Sequence, residues 1–141
     1  MNANQRLDYL VKLDEKLLKG GVITSDKSAI LIRNADLAFV NEAHLASILT
    51  AVSAIESHLR SEYPSQGKRL ADLIDSADLE DDLKSELHAI RKFRNLWVHV
   101  EDPWDDQFFL ENPEEVEVKF LEMTKRSLTA LRRTVYSNPW I

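Results

Sequence analysis

Residues 89–102 of the chain read AIRKFRNLWVHVED. They place an arginine, an asparagine and a histidine on the last turns of a helix that the sequence predicts from residue 79 to about residue 100. At about 100° per residue, one face of this helix collects five apolar side chains: Leu83, Leu87, Ile90, Phe93 and Trp97. Pro103 disfavours helical geometry at Asp102 and therefore ends the helix. No other stretch puts so much chemistry in so few residues.

The composition predicts that the rest of the chain is helical too. Its 141 residues include only three glycines and four prolines, while leucine, alanine, glutamate and lysine are frequent. Such usage is typical of an all-α protein. The length fits one domain, residues 1–141, which can bury about two thirds of the surface that its unfolded chain exposes.

Apolar spacing and terminal signals predict four further helices. They cover residues 5–19, 36–62, 68–75 and 113 to about 137. Ser25 is expected to cap only a short turn between the first two of these helices. Asp78 is the predicted N-cap of the helix that begins at residue 79, and Asn112 is that of the last helix.

Several function classes are excluded by what the sequence lacks. Cysteine is absent, so there is no disulfide, thiolate zinc site or thiol nucleophile. No phosphate-binding glycine loop or metalloprotease motif occurs, and we expect neither a metal nor a cofactor. The chain has no signal-peptide pattern and no apolar run of roughly 18 residues, so we expect no membrane span and a cytoplasmic location. The net charge of −6 argues against non-specific binding to nucleic acid.

The helical wheel separates two groups of polar residues on the helix predicted over residues 79–100. Arg91, Asn95 and His99 follow each other at intervals of four residues along one flank, whereas Arg94 falls within the apolar face. On the helix predicted over residues 36–62, Glu56 likewise falls within the apolar face. Because an unpaired buried charge costs several kcal/mol, the two positions predict an ion pair between Glu56 and Arg94.

The run Arg94-Asn95-Leu96-Trp97-Val98-His99 resembles the signature of the HEPN superfamily, in which an arginine, a polar residue, three further residues and a histidine lie on a late helix. The resemblance extends over roughly residues 36–103. It implies an HEPN-like antiparallel bundle of about four to five helices. It also implies a homodimer with the motif helices side by side. Many such domains, in bacterial defence and toxin–antitoxin loci, are metal-independent ribonucleases, while others are catalytically silent or serve as binding modules.

On this resemblance His99 is the acid or base, Arg94 the electrostatic stabiliser and Asn95 the positioning residue. Two His99 side chains, one from each protomer, would face one cleft. A histidine titrates near neutral pH and an arginine fork suits phosphate oxygens, so these residue types fit RNA cleavage without a metal. Arg91 and Trp97 are candidates for substrate binding, with packing in the core or the dimer interface as the alternative for Trp97.

Other interpretations stay open. Arg94 can be a purely structural partner of Glu56, and His99 can be a helix-terminal residue favoured by the dipole. A non-catalytic module would bind a protein partner through the acidic loop of residues 101–117, whose aromatic residues are Trp104, Phe108 and Phe109. A regulator would use Arg91, Arg94 and His99 to bind an anion or a nucleotide. The remaining three histidines are expected at the surface.

Overall fold

The computed structural model describes residues 1–99 and 110–137 of the chain. These residues form an all-α bundle of six helices, which confirms the fold class that the composition predicts. The helices are α1 (Ala3–Leu17), α2 (Asp26–Val40), α3 (His44–Glu62), α4 (Leu70–Ser76), α5 (Asp81–Val98) and α6 (Pro113–Val135).

The prediction of a single helix over residues 36–62 is wrong, because the chain turns back between α2 and α3. Glu42 occupies this turn with a φ of 63°, a left-handed conformation that interrupts a helix. Arg6 of α1 holds the turn in place. Its Nε donates to the carbonyl of Val40 at 2.8 Å, and its Nη1 lies 3.0 Å from Glu42 Oε1. The break therefore depends on a side chain that is distant in sequence.

The observed starts of the helices agree only in part with those that the capping residues predict from the sequence. Ser25 does cap a helix, since its Oγ accepts from the N–H of Ser28 at 3.1 Å, but that helix is the 15-residue α2 and not a short turn. Asp78 is not the N-cap of α5, because the helix begins after Glu80. The start of α6 after Asn112, with proline at its first position, is confirmed.

Helix α3 lies at the centre of the bundle and packs against α2, α4, α5 and α6. Small residues on α3 and α6 let their neighbours approach closely. The largest fully buried side chains of the core include Phe39, Ile48, Ile55, Leu59, Leu73, Ile74, Leu87, Ile90, Leu128 and Leu131. Helix α5 contributes its apolar face to this core, which leaves its opposite flank in solvent. The core thus fixes the orientation of the helix that carries the motif.

A buried arginine joins the two ends of the chain. The Arg132 side chain is 3% exposed, and its Nε donates to Asp14 Oδ1 of α1 at 2.8 Å. Its two terminal nitrogens form a bidentate pair with Asp36 of α2 at 3.0 and 2.8 Å. Tyr136 adds a hydrogen bond from its hydroxyl to the same Asp14 oxygen at 2.7 Å. This Arg132 network ties α1, α2 and α6 together.

Replacing Arg132 with methionine should destabilise the fold strongly. The change leaves Asp36, whose side chain is only 25% exposed, without its counter-ion, and breaking a buried pair typically costs about 3–5 kcal/mol. Asp14 is 41% exposed and contributes less. Urea unfolding should show this loss, and Asp36→Asn in the Arg132→Met background should recover part of it. Arg133→Met is the matched control, because Arg133 contacts Asp82 at the surface, where solvent screens the pair. Similar losses for the two methionine variants would contradict this role of Arg132.

His44 and His58 are buried, contrary to the surface location that the sequence suggested. The Nδ1 atom of each is buried and has no hydrogen-bond partner within residues 1–99 and 110–137. Burial lowers the pKa of both imidazoles below the usual value of 6.5. Nearby Glu117 and Glu62 act in the opposite direction on His44 and His58 respectively, but more weakly.

These two histidines should make the fold less stable in mild acid. In the unfolded chain they take up protons as the pH falls below about 6.5, whereas the folded state resists protonation until the pH reaches its lower pKa. The stability that comes from keeping both imidazoles neutral is therefore fully present above about pH 6.5. It is lost as the pH falls from about 6.5 through the lower pKa of the folded state. Urea unfolding at several pH values should show a shallower decrease for His44→Gln/His58→Gln than for the wild type. An unchanged slope would contradict this origin, and exposed His99→Gln is the control.

Candidate functional site

The end of α5 brings together the three residues to which the resemblance assigns catalysis. Arg94 Nε donates to Asn95 Oδ1 at 2.9 Å, and both side chains are half-buried. His99 is the C-cap of the helix, and its backbone N–H donates to the carbonyl of Asn95 at 3.0 Å. Its side chain is exposed. The Asn95 amide therefore orients the guanidinium one turn before an accessible imidazole.

The described residues contain no Glu56–Arg94 ion pair. Glu56 Oε2 instead accepts from Arg60 Nε at 2.9 Å, one turn further along α3, and both side chains are about one third exposed. Because Glu56 is not buried, it needs no partner across the core, and the nearest cation on its own helix is sufficient. The interpretation of Arg94 as a structural partner of Glu56 therefore loses its basis.

Arg91 belongs to a chain of polar contacts that the sequence did not reveal. Its Nη2 lies 3.3 Å from His88 Nδ1, and His88 Nε2 lies 2.7 Å from Asp75 Oδ1 of α4. A guanidinium can only donate, so His88 Nδ1 accepts and its Nε2–H donates to Asp75. The spacing of His88 and Arg91 indicates their contact, but nothing in the sequence locates Asp75 beside them. The predicted substrate-binding arginine is thus oriented along the helix by His88.

Trp97, the other predicted substrate-binding residue, is half-buried between α5 and α6. Its ring centroid lies 5.1 Å from that of Phe120 at an interplanar angle of 70°. The ring of Phe93 also packs edge-on against that of Phe120, with 6.4 Å between the ring centroids. Such edge-to-face contacts stabilise the packing of the two helices. This location fits the packing alternative for Trp97, and its role in stacking on a base stays a prediction.

Two apolar side chains flank the polar strip at the end of α5. Leu96 is 59% exposed and Val98 is 48% exposed. On the helical wheel they lie on opposite sides of Asn95 and His99, at about 100° per residue. Single exposed apolar side chains are ordinary on protein surfaces, and these two do not form one contiguous patch. Asn95 and His99 therefore lie between two exposed apolar side chains, and Arg94 lies beyond Val98 towards the apolar face of α5.

The sequence also predicts a role for the acidic loop, and it predicts neither a metal site nor a membrane span. Glu101, Asp102 and the aromatic residues of the acidic loop, Trp104, Phe108 and Phe109, lie outside the described residues. Within the described ranges, no group of three or more His, Asp or Glu side chains is arranged to hold a metal ion. No helix there combines the length and apolarity needed to cross a bilayer.

Comparison with known proteins gives no relative of this chain. No protein-family model matches it, and no curated protein or solved structure is significantly similar. A functional assignment must therefore be argued from the residues at the end of α5.

Proposed function

We propose that this chain is a metal-independent ribonuclease of the HEPN type, whose active site is completed by a second copy of the chain. One observation carries the proposal: Arg94 is hydrogen-bonded to Asn95 on the turn of α5 that precedes an exposed His99. In a cell such an enzyme would act as a toxin or an antiviral effector and would need a cognate partner to restrain it.

The proposed reaction is an attack of the ribose 2′-oxygen on the adjacent phosphorus. The bond from the 2′-oxygen to phosphorus forms as the bond to the leaving 5′-oxygen breaks, which yields a 2′,3′-cyclic phosphate and a 5′-hydroxyl. A general base removes the 2′-hydroxyl proton, and a general acid protonates the 5′-oxygen. Two histidines in opposite protonation states can perform both transfers near neutral pH.

The proposed reaction needs two accessible histidines, and one copy of the chain has only one. The chain has four histidines, of which His44 and His58 are buried and His88 is engaged by Asp75 and Arg91. His99 alone is exposed. One protomer therefore supplies a single accessible imidazole, and a symmetric dimer supplies the acid and the base from two equivalent His99 residues.

Arg94 has the chemistry required to stabilise the phosphorane. Its contact with Asn95 engages Nε, and phosphate recognition would use the two terminal nitrogens of the guanidinium fork. A donor fixed before the reaction stabilises developing negative charge more effectively than one that must reorient. Asn95 is the residue that supplies this fixed orientation, so its role is positioning.

Exposed Leu96 and Val98 give the dimer a physical basis. A two-fold axis near His99 would bring each apolar side chain against the other protomer and remove it from water. The same arrangement would place the two polar strips side by side, with the partner's Arg94 and His99 available to one scissile phosphate.

The net charge of −6 favours a second candidate, a non-catalytic HEPN-like module that binds a protein partner. An acidic protein repels RNA at long range, so a nuclease of this charge would rely on local contacts. The anion- or nucleotide-binding regulator is less well supported, because Arg91 is already oriented by His88.

Purified protein should cleave RNA in the presence of EDTA and leave 2′,3′-cyclic phosphate ends. His99→Ala should lower the rate by at least about 100-fold, the usual contribution of a general acid or base. The exposure of His99 means that this variant should keep the wild-type unfolding midpoint. Ser85→Ala is the matched control and should retain cleavage, because Ser85 is exposed on the same helix but lies 14 residues before His99.

Equal cleavage by wild type and His99→Ala would overturn the proposal, since the activity would then belong to other residues or to a contaminant. Absence of cleavage by the wild type, on both structured and unstructured RNAs, would favour the protein-binding module instead.

A further inference from the structure

A second candidate site, distant from the end of α5 in the sequence, is an open groove lined by residues of α1, α2 and the end of α6. A pocket of about 590 Å³ lies between α1, the connector of residues 18–24, α2 and the end of α6. This volume is within the range of small-molecule sites. The walls are mainly aliphatic and include Leu7, Leu10, Val11, Leu37, Val40 and Val135.

Several of these wall residues are left in water although they are apolar. Leu7, Val11 and Leu37 are 53%, 48% and 44% exposed, and all three line the same pocket. Single exposed leucines are ordinary, but a group of them around one concavity marks a binding surface. An occupant with an apolar body would remove these side chains from water and so gain hydrophobic free energy.

The polar floor of the pocket determines which head group such an occupant should carry. Asp14, Asp36 and Arg132 all line it, and Tyr136 closes one side. Two carboxylates share one guanidinium, so the network holds one more negative charge than positive charge. Arg33 also reaches the pocket wall, but it is exposed, and solvent screens its charge.

One carboxylate oxygen of this floor has capacity for a ligand. Asp14 Oδ1 accepts both from Arg132 Nε and from the Tyr136 hydroxyl. Within the described ranges no donor is bonded to Asp14 Oδ2, and the side chain is 41% exposed. A carboxylate can accept about four hydrogen bonds. Desolvation raises the pKa of the neighbouring Asp36, although the Arg132 guanidinium acts in the opposite direction.

We propose that this pocket binds a small amphipathic cation, with an aliphatic or aromatic body between α1 and α2 and an ammonium group at Asp14 Oδ2. Charge complementarity selects the cation, because an anionic amphiphile would bring a second uncompensated negative charge to the floor. The apolar walls select a hydrophobic amine over a polyamine, since the latter would place charge against leucine and valine side chains.

Three eight-carbon probes that differ only in the head group test this proposal: n-octylamine, n-octanoate and n-octanol. Calorimetric titration of the full chain should give one saturable site for octylamine. Octanoate should bind at least about tenfold more weakly, a difference of about 1.4 kcal/mol. Backbone amide shifts in NMR spectra should change at α1, α2 and the end of α6.

Two variants separate the head-group contact from the apolar wall. Asp14→Asn keeps an acceptor for Arg132 and Tyr136 but removes the charge, so it should abolish the preference for octylamine over octanol. Leu37→Ser should lower the affinity of the protein for all three probes several-fold. Ile30→Ser is its matched control, because Ile30 is exposed on the same helix and does not line the pocket.

Failure of octylamine to saturate, or binding of octanoate as tight as that of octylamine, would overturn the proposal. So would amide shifts confined to α5, since binding would then lie elsewhere. Self-association that Leu37→Ser abolishes, without binding of the amine, would assign the surface to a second copy of the chain and would also overturn it.

Discussion

The buried guanidinium of Arg132 links three helices of the bundle. It lies on α6 and holds carboxylates of both α1 and α2, so the last helix fixes the positions of the first two. Losing Arg132 would leave the Asp36 carboxylate, which is largely buried, without its counter-ion, and the cost of such a loss is several kcal/mol. The same network forms the floor of the apolar pocket, so stability and the proposed cation site share residues there.

The motif at the end of α5 differs from the Arg132 network, because its residues lie on one helix and His99 is exposed. Its helix is held by Leu83, Leu87 and Ile90 in the core, whereas Asn95 and His99 lie on the flank away from it. The hydrogen bond from Arg94 to Asn95 is local, and none of the three polar residues takes part in the Arg132 network. The exposed His99 side chain can therefore be replaced without disturbing the core, so the proposed nuclease activity can be tested separately from stability.

The sequence predicts local structure well where apolar periodicity acts within one helix, as for α5, and where an asparagine and a proline mark the start of a helix, as for α6. It fails at the turn between α2 and α3, because Arg6 stabilises that turn from another helix. The Glu56–Arg94 pair was expected because the wheel treats both positions as buried, while Arg60 reaches Glu56 on its own helix. Arg132 lies 118 residues from Asp14 and 96 from Asp36, so no local pattern could connect them. The proximity of Arg94, Asn95 and His99 could be predicted because all three lie at the end of one helix.

The central claim is that two copies of His99 act on one phosphate, and subunit mixing tests it most directly. Wild-type protein is allowed to exchange subunits with His99→Ala protein, and RNA cleavage in EDTA is measured at a constant amount of wild type. If each site needs both histidines, mixed dimers are inactive, and activity per wild-type protomer falls to about half in an equimolar mixture. Activity that stays constant as the variant is added would contradict a shared site, because each protomer would then cleave RNA alone.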